Sequence, residues 1–440
     1  MKRLKTLLGV AAIALAPVFA GPLAAQTVAI TNAKVATGTG AAPIDGGTIV
    51  ISGGRIVSVG GGGAPAGAQV VDAQGRWVTP GIIGGFSRLG LLEVDAVGES
   101  NDSSAGDDAN PFNASLDITP GLNPRSVNIP INRIEGITRA VVAPNTGNSI
   151  FAGQGAIISL ADADDIAMRP RAFQFVELGE EGADLSGGSR SAAHAVFRNG
   201  LREALAYARN PAGYEGGKDR GSILTALDAA ALVPVVQGRM PVLIHVERAS
   251  DIQRVLDLKR EFPNLKPILV GVTEGWMVAD KIAAAGVPVV ASALNDLPAR
   301  FEMLGATQSN VGRLVKAGVK VALGMIDDED GRQIRLLPQH AGNLVAVGRI
   351  PGASGVTPEQ ALMLMTKAPA EIFGMTDTGT LEAGKRADVV IWDGDPLELA
   401  SAPVAVMIDG RQVPMTSRQT KLRDRYMPNR PDDMPVQYRR

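Results

Sequence analysis

The chain has 440 residues, 45% of them apolar and 4% aromatic, with a formal net charge of −2 and no cysteine. That length suits one large α/β barrel with an accessory domain, or two or three ordinary domains, around a core of Ala, Val, Ile and Leu. Disulfides and thiolate metal sites are excluded, and the near-neutral charge argues against a general nucleic-acid binder.

The first residues read as a targeting segment. Lys2, Arg3 and Lys5 precede the apolar run "LLGVAAIALAPVFA" and then small residues. Cleavage after Ala25, or after Ala20, suits a signal peptidase, so residues 1–25 are expected to be a leader and the mature chain a periplasmic or secreted protein. The run is short for a membrane span and carries Pro17, and no later segment is long and apolar enough to span a bilayer. Residues 27–79 then alternate β-branched runs with glycine turns, and Gly60–Gly63 reads as a flexible turn because no helix follows. From about residue 81 strands alternate with helices. "PVLIH" (241–245) precedes "ASDIQRVLDLKREF", "KPILVG" (266–271) precedes "EGWMVADKIAAAG", and "VPVVAS" and "VKVALG" continue the rhythm. Apolar runs of this kind are buried parallel strands of a barrel or a doubly wound sheet. Thr357, Pro358 and Gln360 predict a capped helix start. Residues 377–413 return to short strands, so the two ends of the chain are expected to build one β-domain. The last residues, 416–440, form a polar, Arg-rich tail.

With these segments in hand, the chain resembles the amidohydrolase superfamily over nearly its whole mature length, in a secreted, peptidase-like branch. The residues that carry the resemblance are "PGII" (80–83), "GITRAVVAPNTGNSIFAGQGAIISL" (136–160), which looks like the family's glycine-led second strand and the loop after it, "HVERASDI" and, most specifically, "AGKRADVVIWDGDPLE" (383–398). The resemblance implies an α/β fold, a (β/α)8 TIM-type barrel over 81–376 with a composite β-sandwich domain formed by 26–80 and 377–415. It also implies hydrolysis of carbon–nitrogen bonds at the C-terminal ends of the barrel strands, where one or two divalent metals such as zinc activate water.

The metal-ligand pattern of that family is a His-x-His after the first strand, a His after the fifth, a His after the sixth and an Asp after the eighth. Here the first strand ends "GGFSRLG", so Phe86 and Arg88 stand at the histidine positions. Phenylalanine cannot ligate, and arginine keeps its positive charge. The fifth strand retains His245, the sixth gives Gly271, and the eighth gives Ile326, with Asp327 one residue later. His194 and His340 sit away from strand ends. Such a set holds one divalent metal at most, through His245, or none. Glu247 and Asp327 join His245 as catalytic candidates, and Phe86, Arg88, Glu274 and Trp276 as substrate-contacting candidates. Ser87 misses a nucleophile elbow by one residue, and "SGGSR" (186–190) reads as a helix cap with Arg190 as a structural clamp.

Two functions follow from this pattern. One is a degenerate relative that binds a small amide-like or peptide-like ligand, or pairs with a complete amidohydrolase or with itself. The other is a surviving hydrolase using His245, Glu247 and Asp327. If the metal is lost, buried acids at the mouth need another positive partner, and Arg88 is expected to pair with Glu247 or Asp327.

Overall fold

The computed structural model describes residues 27–94, 96–104, 110–216, 221–326 and 331–427. Residues 1–26, on which the expected leader falls, Asp327 and the end of the tail lie outside them. The first sheet is built on β1 (Val28–Val35), which pairs antiparallel with β2 (Ile44–Ser52). β3 (Arg55–Gly60) follows through Gly53 and Gly54, both in the left-handed region at φ 57° and 78°. A two-residue hairpin turn of this twist needs that conformation twice, and glycine reaches it without strain. β4 (Gln69–Asp72) and β5 (Trp77–Pro80) run parallel to β1.

The chain then enters the second sheet. Its strands are β6 (Ile82–Ser87), β7 (Ile137–Val142), β8 (Phe151–Ser159), β9 (Ala167–Glu177), β10 (Val242–Val246), β11 (Pro267–Gly271), β12 (Val289–Ala291) and β13 (Val321–Leu323), side by side in chain order. β13 returns to β6, where Met325 N donates to Phe86 O at 3.0 Å, so the sheet is a nearly closed barrel. From β9 onward the strands are parallel, as their unbroken apolar runs predict. Alternate residues split between two cores. Ile83, Phe86, Phe175, Leu243, Val270 and Val290 fill the barrel, while Ile244, Leu269 and Val289 face the surrounding helices.

One part of the barrel departs from the expected (β/α)8 rhythm. Residues 151–159, read from the sequence as a loop after the second strand, form β8, which runs antiparallel to both β7 and β9. The physical reason is connection length. Segments 143–150 and 160–166 suffice for hairpins, whereas a parallel crossover takes about a dozen residues or more.

The end of the chain completes the first sheet. β14 (Val389–Trp392) pairs antiparallel with β5 and with β15 (Pro403–Ile408), which pairs with β16 (Arg411–Gln412). Both ends of the chain thus share one sheet, with Ile30, Val35, Ile49, Val78, Val389 and Ile391 in its core. Thr357 caps the helix Pro358–Leu364 in the reciprocal arrangement with Gln360 that the sequence predicts. Part of the polar tail is ordered as well: Arg418–Tyr426 is a helix capped by Ser417, with no buried residue. Among the described residues, no helix is long and apolar enough to cross a membrane.

A buried ion pair joins the two sheets. Arg139 on β7 reaches Asp388, just before β14, with Nε and one Nη each 2.9 Å from a carboxylate oxygen. It also donates to Asp409 at 2.9 Å, and Arg386 bridges Asp409 and Asp377 at 2.8 Å each. Arg139→Ala would leave Asp388 buried without its countercharge and should lower unfolding stability by about 3–5 kcal/mol in urea titrations. Replacing both partners, as Arg139→Met with Asp388→Leu, should cost clearly less than the two single changes together, because no lone charge stays buried.

Candidate barrel-mouth site

The C-terminal strand ends converge at one mouth, and β6 supplies its floor. Phe86 is fully buried and meets Phe175 edge-on, with ring centroids 5.4 Å apart. Ser87 points the other way, its hydroxyl donating to Val141 O at 3.0 Å, so it is spent on the backbone. Arg88 is buried too. Its guanidinium donates to Ala143 O (3.1 Å), Pro144 O (2.7 Å) and Asn145 Oδ1 (3.0 Å) in the turn after β7, and lies 5.3 Å from the Phe86 ring centroid. The loop between β7 and β8 therefore closes over the guanidinium.

The centre of the mouth is a histidine held between two carboxylates. Glu177 and His245 are register partners on the parallel strands β9 and β10. Glu247 lies two residues beyond His245, on the same face of the extended chain. His245 Nδ1 stands 2.8 Å from Glu177 Oε2, and Nε2 stands 2.8 Å from Glu247 Oε1. Thr273 N donates to the other Glu247 oxygen at 2.6 Å. Burial works to lower the pKa of this histidine, but the charges and hydrogen bonds of Glu177 and Glu247 outweigh it and hold it well above 6.5. Both neighbours thus favour the charged form of the ring. Of the two partners expected for Arg88, Glu247 instead meets His245, two residues away on its own strand, and Asp327 lies outside the described residues.

Gly271 explains why this arrangement fits. It ends β11 at φ +88°, and a Cβ there would overlap Glu247 Oε1 and stand 2.8 Å from His245 Cδ2. The folded site has no room for a side chain at the position where the resemblance calls for the strand-six histidine. Val272 follows at φ 52°, a left-handed conformation costly for a β-branched residue.

A metal ion would need lone pairs that this donor set does not offer. Both ring nitrogens of the mouth's histidine already face carboxylate oxygens. Among the described residues, no group of three or more His, Asp and Glu side chains is arranged to hold a cation. Asp327 lies outside those residues.

Two cavities open here. The smaller, about 60 Å³, is walled by Phe86, Arg88, Glu177, His245, Arg300 and Met303, among others. The larger, about 250 Å³, lies against Ser292, Asn295, Met325 and His340. Ile326 lines both. Glu274 and Trp276 line neither. Glu274 accepts from Ala249 N (2.9 Å) and Gly305 N (3.0 Å), and Trp276 Nε1 donates to Gly305 O (2.8 Å) under the Arg313 guanidinium. These two side chains fix the loop that leads to the mouth. Arg190 does act as a clamp, binding Asp251 at 2.7 Å and Glu302 at 3.1 Å, while Ser189 caps its helix. Glu302 is fully buried, and burial pushes its carboxyl above the usual range against the pull of the His245 charge.

Sequence reasoning missed Glu177, Arg300 and the place of His340. Glu177 could have been found, because "FQFVE" is an apolar strand ending in a carboxylate. Arg300 and His340 sit on a loop and a helix, and only the fold brings them to the mouth.

A barrel with a polar mouth at its strand ends, joined to a sheet made from both chain ends, defines an enzyme-type α/β architecture. Comparison with known proteins narrows it. The amidohydrolase family model matches residues 217–414. Amidohydrolase tasK of Hapsidospora irregularis is 26% identical over 79% of this chain, a match spanning only 37% of that protein. A 5-methylthioadenosine/S-adenosylhomocysteine deaminase of Bacillus cereus is 21% identical over 74% of this chain and 75% of its own length. The crystal structure of an amidohydrolase from Thermotoga maritima superposes with a TM-score of 0.77 at 23% identity, over 89% of this chain and all of that one. In the family model matched over 217–414, in these relatives and in its fold, the chain is similar to the amidohydrolase superfamily.

Gly271→Ala should destabilise the protein by more than the ~1–3 kcal/mol of backbone strain alone, since the new methyl also displaces the Glu247 carboxylate. Chemical denaturation checks this. A second expectation concerns pH. His245 has a raised pKa in the folded chain, so its contribution to stability is complete below about 6.5 and is lost as pH rises through the folded value. Melting temperature should therefore fall on the alkaline side, and His245→Gln should flatten that slope.

Proposed function

We propose that this chain is an exported, degenerate amidohydrolase whose barrel mouth binds a small amide-like or peptide-like ligand without metal-assisted hydrolysis. The carrying observation is the Glu177–His245–Glu247 cluster. It sets one imidazole between two carboxylates, uses both imidazole nitrogens and leaves no space for a side chain at Gly271. Phe86 and Arg88 support the reading from the first strand, one packed into the barrel core and the other tied to backbone carbonyls. The basic start and apolar run support export. Pairing with a complete amidohydrolase, or with a second copy, is compatible with the same degeneracy.

One observation favours a second reading. Glu177 and His245 both line the small cavity, and a carboxylate paired with an imidazole is an acid–base set that a metal-independent hydrolase uses. A single set of measurements separates the two. Protein from the periplasmic fraction should begin at Gln26 by intact-mass analysis, carry far less than one equivalent of zinc, and turn over neither dipeptides nor cyclic amides. Turnover that resists chelators but vanishes in His245→Ala would establish the second reading. One equivalent of zinc with chelator-sensitive turnover would remove both.

A further inference from the structure

The charged groups of the mouth are not equally occupied. His245 has both ring nitrogens against carboxylates, and Arg88 faces the carbonyls of Ala143 and Pro144. Arg300 differs. Among the described residues its ionic partner is Glu181, with Nη1 3.7 Å from Oε2, and its side chain is 46% exposed. Glu181 meanwhile accepts a hydrogen bond from the Thr146 hydroxyl through its other oxygen. A guanidinium presents five N–H donors in a planar fork that matches a carboxylate. One long ionic contact leaves most of that fork available on the wall of the cavity that Arg300 shares with His245.

The loop that carries Arg300 is pinned on several sides. Glu302 accepts from Glu180 N at 2.7 Å, Gly305 is held by Glu274 and Trp276, and Asn295 donates to Thr273 Oγ1 at 3.0 Å. The anchor is thus positioned before a ligand arrives, which lowers the ordering cost of binding. Beyond Ile326 the larger cavity offers apolar walls at Ala293, Leu294 and Met325 with polar edges at Ser292 and Asn295. Its volume of about 250 Å³ lies just below the usual range for drug-sized ligands, ~300–1,000 Å³, so it suits a small molecule.

We propose that Arg300 is the anion-recognising residue of the mouth, and that the ligand is a small amide carrying a free carboxylate, with its apolar end in the cavity beyond Ile326. This rests on the reading of the mouth as a ligand site, and it assigns that site a chemical class. The carboxylate takes the Arg300 fork, the amide lies beside His245, and the side group enters between Ser292 and Met325.

The test uses the full mature chain and two probes that share the N-acetyl-leucyl body, N-acetyl-L-leucine and its neutral methylamide, with affinities from calorimetry. The acid should bind at least about tenfold more tightly, one decade in Kd. Arg300→Gln should abolish that preference, Arg300→Lys should keep part of it, and Ser292→Leu should weaken N-acetyl-L-leucine by a larger factor than N-acetylglycine. Equal affinity for acid and methylamide, binding of neither, or an undiminished preference in Arg300→Gln overturns the proposal. Metal content and turnover are read separately. Acid-selective binding by a protein with chelator-sensitive turnover would keep this inference and remove the reading above. A metal-free, inactive protein that binds neither probe would remove this inference alone.

Discussion

Arg139 has 1% of its side chain exposed, and Asp388 has 2%. A charge held so far from water must be matched by an opposite charge and by hydrogen bonds, or it neutralises or unfolds its surroundings. That requirement organises the base of the barrel. Arg139 can be satisfied only if the segment near residue 388 returns, after some 250 residues of barrel, to lie beside β7. The composite sheet is thus part of the barrel's own charge balance. Arg386, Asp377 and Asp409 extend the pairing outward to where solvent takes over.

The same constraint shapes the opposite end. Glu177 and Glu247 are both buried at the mouth, where each needs a positive or hydrogen-bonding partner. His245 serves both because parallel register puts it beside Glu177 and strand alternation puts Glu247 on its face. Arg88, the cation suggested by sequence position, is turned toward the carbonyls after β7. The choice between the two was settled by reach. A two-residue step along one strand is shorter than any path across the barrel, and the closed turn at Ala143–Asn145 offered the guanidinium good acceptors.

Packing and chemistry are coupled at Gly271. Its left-handed backbone and missing side chain let the Glu247 carboxylate and the His245 ring approach each other. The price of that approach is strain, visible again at Val272. Strain of this kind persists where the surroundings over-determine the backbone, and here the hydrogen bonds from Val272 N to Val246 O and from Thr273 N to Glu247 hold it.

Much of the fold was legible in the amino-acid order because its signals are local. Apolar runs marked the parallel strands, glycine pairs marked the hairpins, the Thr357–Gln360 spacing marked a helix start, and the strand style of residues 377–413 tied the end of the chain to its beginning. Residue identity alone also told that Phe86 cannot ligate and that Arg88 stays charged. What the order could not show depends on contacts between distant residues. β8 reads as a loop until two short connections force it antiparallel. Glu274 and Trp276 look like mouth residues until their partners at Ala249 and Gly305 are seen. Glu177, Arg300 and His340 acquire meaning only when the barrel closes and brings a strand end, a loop and a helix to one place. Local propensity acts over a few residues, whereas the pairing of buried charges is decided by which groups the closed barrel leaves within 3 Å of one another.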